Sequence, residues 1–169
     1  MAKFNSKNRG YSLIEIIIYI GIFALISVVV VNSFIHSVSA SKTAFAKRNL
    51  LETGNSAMER MTREIRLADT IIDANSVFDT GSGILEISSV PPTGGTRVIK
   101  FKIDSGVVNM YEGGTLYGSV SGSQAVVSTL IFRKITTAGG KAIKIEMTVT
   151  DSLGYTSNFY NTVGLRGVY

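Results

Sequence analysis

Gly10-Tyr11-Ser12-Leu13-Ile14-Glu15 leads straight into Ile16-Ile17-Ile18-Tyr19-Ile20-Gly21-Ile22-Phe23-Ala24-Leu25-Ile26, and from Ile16 to Ser41 the chain carries no Lys, Arg, Asp or Glu. An apolar segment of about 20 residues is long enough to cross a bilayer as a helix. Lipid offers the backbone no water to bond, so helix is the state that satisfies it, although Ile and Val are mediocre helix formers in water. One carboxylate, Glu15, stands at the head of the run. A charge in such a segment costs roughly 2.5–3.5 kcal/mol at the membrane centre and less toward an end. A plain anchor has no reason to carry that cost. Glu15 therefore reads as a functional residue that needs a cationic partner.

Lys3, Lys7 and Arg9 precede Gly10, with no acid among them. A secretory signal peptide is cut at small residues after its apolar core. Here the candidate site comes first, so the apolar segment stays in the processed chain. A basic leader, Gly10, Ser12-Leu13-Ile14-Glu15 and a long uncharged run, in that order, resemble the class III signal of type IV prepilins and pseudopilins. The resemblance implies that a prepilin peptidase cuts after Gly10 and methylates the new amino terminus at Tyr11. It also implies that Glu15, fifth residue of the processed chain, pairs during assembly with an amine on a neighbouring subunit. Tyr11 departs from the usual Phe, and Asn32 stands where many major pilins have a helix-kinking Pro.

The chain has 169 residues, and a leader of residues 1–10 and a membrane segment of residues 11–41 leave 128 from Lys42 onward. That is enough for one compact domain with its own core. Three of the 17 basic side chains lie in the leader, so the rest holds 14 basic and 12 acidic side chains. A near-neutral processed chain argues weakly for a nucleic-acid or acidic-lipid partner. There is no cysteine, which excludes disulfides, thiol catalysis and zinc–thiolate sites. Many type IV pilins close their C-terminal region with a disulfide; here sheet packing must do so. Lys42, Lys47 and Arg48 follow the apolar run and nearly balance the positive-inside count. The placement therefore comes from the resemblance: a single pass through the bacterial inner membrane, leader cytoplasmic, C-terminal domain extracytoplasmic.

The helical pattern continues past the membrane segment. Leu51, Gly54, Met58, Met61, Ile65, Ala68 and Ile72 recur at alternating spacings of 3 and 4, one apolar stripe for packing on a sheet. Arg48–Glu52, Glu59–Arg63 and Arg60–Glu64 place charge pairs on the opposite faces. Gly54 within the stripe is either a simple loss of helix stability or a point where the sheet comes close or the helix bends slightly. With no proline between Tyr11 and Ile72, one helix of about 60 residues is expected, with residues 42–73 its amphipathic half.

From residue 74 to 169 the composition shifts to Gly, Ser, Thr and β-branched residues. Strands are expected at Ile84–Val90, Arg97–Asp104, Val107–Glu112, Ala125–Ile135, Lys141–Thr150 and Asn158–Leu165. Pro91-Pro92-Thr93-Gly94-Gly95 and Ala138-Gly139-Gly140 join them. Antiparallel strands with one apolar face need a cover, and the helix stripe supplies one. The expected fold is α+β: a long N-terminal helix, membrane-spanning and then soluble, packed on an antiparallel sheet. Met58–Ala68, Arg97–Asp104 with Val107–Glu112, and Phe159–Arg166 are similar to J-type minor pseudopilins of type II secretion and related minor pilins.

No catalytic constellation is visible, and the chain reads as a structural subunit, not an enzyme. No cofactor and no metal site is expected. His36, the only histidine, lies near the outer end of the apolar run and reads as an interfacial polar residue. Asp73 and Asp79 are too sparse to suggest a calcium loop, though carboxylate and carbonyl sites leave calcium open. Lys100, Lys102 and Lys144 form a candidate basic face; solvated strand faces and edge protection compete with DNA contact as its explanation. The resemblance implies as partners the prepilin peptidase, other major and minor subunits, and the inner-membrane assembly platform with its ATPase. Two other readings stay open: a filament-tip module contacting DNA or a secreted substrate, and a plain signal-anchored domain.

Overall fold

The computed structural model describes residues 12–91, 94–137 and 140–166. The leader, Gly10 and Tyr11 lie outside them, as do Pro92-Thr93 and Ala138-Gly139 of the two expected turns. Helix α1 spans Leu13–Leu67, 55 residues. The chain divides between Thr43 and Ala44 into two compact units. In the first, α1 exposes its Ile, Val, Leu and Phe side chains. It is long and apolar enough to cross a membrane, and none of its most apolar stretch is buried in the protein.

In the second unit the rest of α1 packs on antiparallel strands. β1 (Thr70–Ile71), β2 (Leu85–Ser89), β3 (Arg97–Asp104), β4 (Val107–Glu112) and β5 (Thr115–Ser119) form one sheet in chain order. β6 (Val126–Thr137), β7 (Gly140–Thr150) and β8 (Thr156–Gly164) form a second. The fold is α+β, with the expected sheet split in two. Main-chain bonds join the pieces: Gly83 N–H to Leu130 C=O at 2.7 Å, Leu130 N–H to Gly81 C=O at 2.8 Å, and Val127 N–H to Gly106 C=O at 2.8 Å. A Cβ at residue 83 would stand 2.7 Å from the Leu130 carbonyl oxygen, so only glycine lets the sheets approach this closely there.

Alternation along the strands converts directly into burial. On β7, Ile143, Ile145, Met147 and Val149 face the core, while Lys144, Glu146 and Thr148 face out. On β3, Ile99 and Phe101 are buried, and Ile103 packs partly against the core. β5 goes unnamed in the sequence reading because Thr115–Ser119 is too exposed to alternate. Its signal is the Gly113-Gly114 pair, both at positive φ (57° and 86°), the backbone of a tight hairpin.

Three features of α1 differ from expectation. The helix ends at Leu67, not Ile72: Thr70-Ile71-Ile72 is a β-branched run, and Asp69 and Ile72 N–H instead donate to Ser88 and Glu86 carbonyls. Leu51 is 52% exposed, and Leu50, at 3%, takes the inward position. Stepping back four residues from Gly54 lands on the face shared with Ala57, Met61 and Ala68; stepping back three turns past it. Glu64 is buried rather than on the solvated face, held by Arg60 at 3.0 Å and Arg97 at 2.8 Å.

Met58, Met61, Ile65 and Ala68 are buried against the sheets. Gly54 faces Phe159 of β8, where an added Cβ would lie 2.1 Å from the ring. Gly54→Ala gains about 1 kcal/mol of helix propensity against about 1–3 kcal/mol of overpacking. The variant is therefore expected to lose up to about 2 kcal/mol. In a Phe159→Ala background the same change should instead stabilise. Denaturant unfolding of residues 42–169 in the four variants measures both signs; equal effects in the two backgrounds would remove Phe159 as the cause.

Candidate processing and assembly site

The processing residues read from the sequence, Gly10 and Tyr11, lie outside the described residues; the helix that follows them is described. Ser12 C=O accepts the N–H groups of Glu15 at 3.0 Å and Ile16 at 3.3 Å, closing the first turn of α1. Glu15 thus sits where the positive end of the helix dipole favours a carboxylate. It is half-buried, and Tyr19 Oη donates to its Oε1 at 3.1 Å.

Three hydroxyls further along the helix satisfy themselves locally. Ser27 donates to Phe23 C=O at 2.8 Å, Ser41 to Ser37 C=O at 3.0 Å and Thr43 to Ser39 C=O at 3.1 Å. Each hydroxyl closes on the carbonyl one turn back, so it enters an apolar medium without an orphaned donor. Glu15 differs, because one phenol does not neutralise a carboxylate. Among the described residues no Lys, Arg or His side chain pairs with it.

The candidate basic face is divided. Lys100 and Lys102 lie on β3 of one sheet and Lys144 on β7 of the other. Each meets a carboxylate: Lys100 with Glu86 at 2.6 Å, Lys102 with Asp104 at 3.0 Å, Lys144 with Glu146 at 2.9 Å. Arg133 bridges Glu146 at 3.0 Å and Asp79 at 2.8 Å, and Lys134 meets Asp73 at 2.5 Å. Among the described residues no three His, Asp or Glu side chains come together as a metal site.

These pairs set an acid response. Hydrogen bonds from Arg133 and Lys144 hold the Glu146 carboxyl down to about 2. Tyr111 and Lys102 lower Asp104, and Arg97 lowers Glu112. Burial pushes Glu86 up, but bonds from Lys100 and Asn75 more than offset it and leave it lowered. A carboxylate depressed on folding contributes stability above its unfolded pKa and loses it as pH falls through the folded value. Residues 42–169 should therefore hold a constant thermal midpoint near neutral pH and lose it between pH about 4.5 and about 2. Glu146→Gln should make that fall shallower; an unchanged slope would show that Glu146 does not drive it.

Residues 5–31 match the prokaryotic N-terminal methylation motif. This is the class III signal of type IV pilins. The match takes in Gly10, Tyr11 and Glu15 and ends at Val31, ahead of the folded second unit. No curated protein and no solved structure matches the chain. The motif supports a pilin or pseudopilin subunit, a structural class of protein, and the exposed apolar helix is consistent with membrane anchoring. It also implies processing by a prepilin peptidase and assembly with other pilin subunits.

Proposed function

We propose that the chain is a minor pilin or pseudopilin, cut after Gly10, methylated at Tyr11 and assembled into a type II secretion pseudopilus or a type IV pilus-like filament. The observation that carries this reading is the placement of Glu15. It stands within the matched methylation signal, in the first turn of an exposed apolar helix, and a second compact unit follows. The helix spans the inner membrane once and presents the folded unit outside the cytoplasm. Glu15 then pairs with the methylated amine of a neighbouring subunit, and the assembly platform with its ATPase drives addition. The subunit is of the J type or a related minor type, on the likeness of its Met58–Ala68 and Phe159–Arg166 segments. A tip module that contacts DNA would draw on Lys100, Lys102 and Lys144, and their carboxylate partners lend it no support.

The mature N-terminal mass tests the reading. The expected product begins at Tyr11 and carries one added methyl group. Gly10→Val should leave the chain uncut, because a branched side chain fills a site that accepts almost none. A Gly10→Val chain processed like the parent, or a parent that keeps its leader, would overturn the proposal.

A further inference from the structure

We infer that Tyr19 is a positioning residue for Glu15, fixing its carboxylate in one orientation on the helix while leaving it available to a neighbouring subunit's amine. The inference rests on the assembly role proposed for Glu15. Its observation is the bond from Tyr19 Oη to Glu15 Oε1, 3.1 Å across one helical turn. Helical side chains lean toward the N-terminus, so a long side chain four residues on lies over the residue it follows. A carboxylate in the first turn has a rival arrangement. Ser12 and Glu15 have the spacing of a capping box, in which the acid reaches back to the N–H of the residue before the helix. In the structure Oε1 instead accepts from Tyr19, four residues on.

The chemistry of the donor decides what this does. A phenol bonds a carboxylate without cancelling its charge, whereas a lysine or arginine would cancel it. An ionised carboxylate accepts about four hydrogen bonds, so one phenol leaves room for an ammonium group. From Ile16 to Ser41 there is no Lys or Arg to compete. Before cleavage the chain has no free amine at Tyr11, and Tyr19 offers the carboxylate a donor within lipid. After cleavage a neighbouring subunit's amine can take one of the acceptor positions that Tyr19 leaves open. A carboxylate already fixed by Tyr19 loses less rotamer freedom when it meets that amine.

The test is a double-mutant cycle in native membranes, because Tyr19→Phe removes the hydroxyl and keeps the ring. Parent, Tyr19→Phe, Glu15→Ala and the double variant each carry a photo-crosslinking phenylalanine analogue at Val28. Adducts to other subunits bearing the same signal are quantified by mass spectrometry at matched levels of processed protein. Tyr19→Phe should lower the adduct yield roughly 3- to 10-fold in the Glu15 background, the size of one typical net hydrogen bond. It should change nothing in the Glu15→Ala background. Parent-like yield in Tyr19→Phe, or an equal loss in both backgrounds, overturns the positioning role while a loss in Glu15→Ala keeps the assembly reading. Parent-like yield in Glu15→Ala overturns the assembly reading, and the positioning role falls with it.

Discussion

Met61→Asp abolishes the cooperative melting of the second unit. Met61 has no exposed surface, and neither does Ile65 one turn on. Removing a fully buried Met forfeits about 1.5–3 kcal/mol of apolar burial. The new carboxylate then adds several kcal/mol, because burial without a partner penalises its charge. Arg60 and Arg97 are already committed to Glu64 at 3.0 and 2.8 Å. The sum reaches into the roughly 5–15 kcal/mol that holds a typical domain together. Ile65→Asp should behave alike, while Leu51→Asp, at a half-exposed site, should melt close to the parent. Circular dichroism melts of residues 42–169 measure all three. Parent-like melting of Met61→Asp and Ile65→Asp would mean that the stripe does not pack on the sheets.

Glu15→Ala leaves the chain inserted, cleaved and folded, and removes most of its incorporation into filaments. Insertion does not suffer, since the change deletes a charge from an apolar segment. Folding does not suffer, since the core of the second unit begins at Leu50. The loss falls on assembly. A charge-assisted hydrogen bond contributes about 1.5–3 kcal/mol, and each 1.4 kcal/mol is a factor of ten, so incorporation should drop about 10- to 100-fold. Glu15→Asp should fall between, because the shorter side chain reaches less far. Cross-linking to other subunits at matched levels gives the readout. Undiminished cross-linking of Glu15→Ala would make the carboxylate dispensable or satisfied within its own chain.

Features with a short sequence period were legible, and those set by distant neighbours were not. The apolar run, the strands β3 and β7 and the inward positions Met61 and Ile65 follow from spacing alone. Leu51 and Glu64 show the limit: a pattern of threes and fours tracks a helical face only to within one position. The helix end is not legible from local pattern, because Asp69 and Ile72 bond to a strand that lies well ahead in sequence. The partner of Gly54 could not be read at all, since Phe159 stands on the last described strand. At the candidate site Glu15 was legible as a charge out of place. Tyr19 was not, because an aromatic in an apolar run ordinarily reads as one more apolar residue.

The covering of α1 by β8 has a consequence in time. Thr62 accepts a hydrogen bond from Asn161, 99 residues later, and Ala68 C=O accepts the N–H of Arg166. The helix is thus synthesised well before the strand that lies against it. Contacts of such long sequence separation form slowly, because loop closure precedes the reward. Until β8 arrives, part of the stripe has no cover, on a chain whose apolar start favours lipid. Mutations in β8 should therefore be felt first in yield, as chains lost while the helix waits, before they are felt in the stability of those that finish.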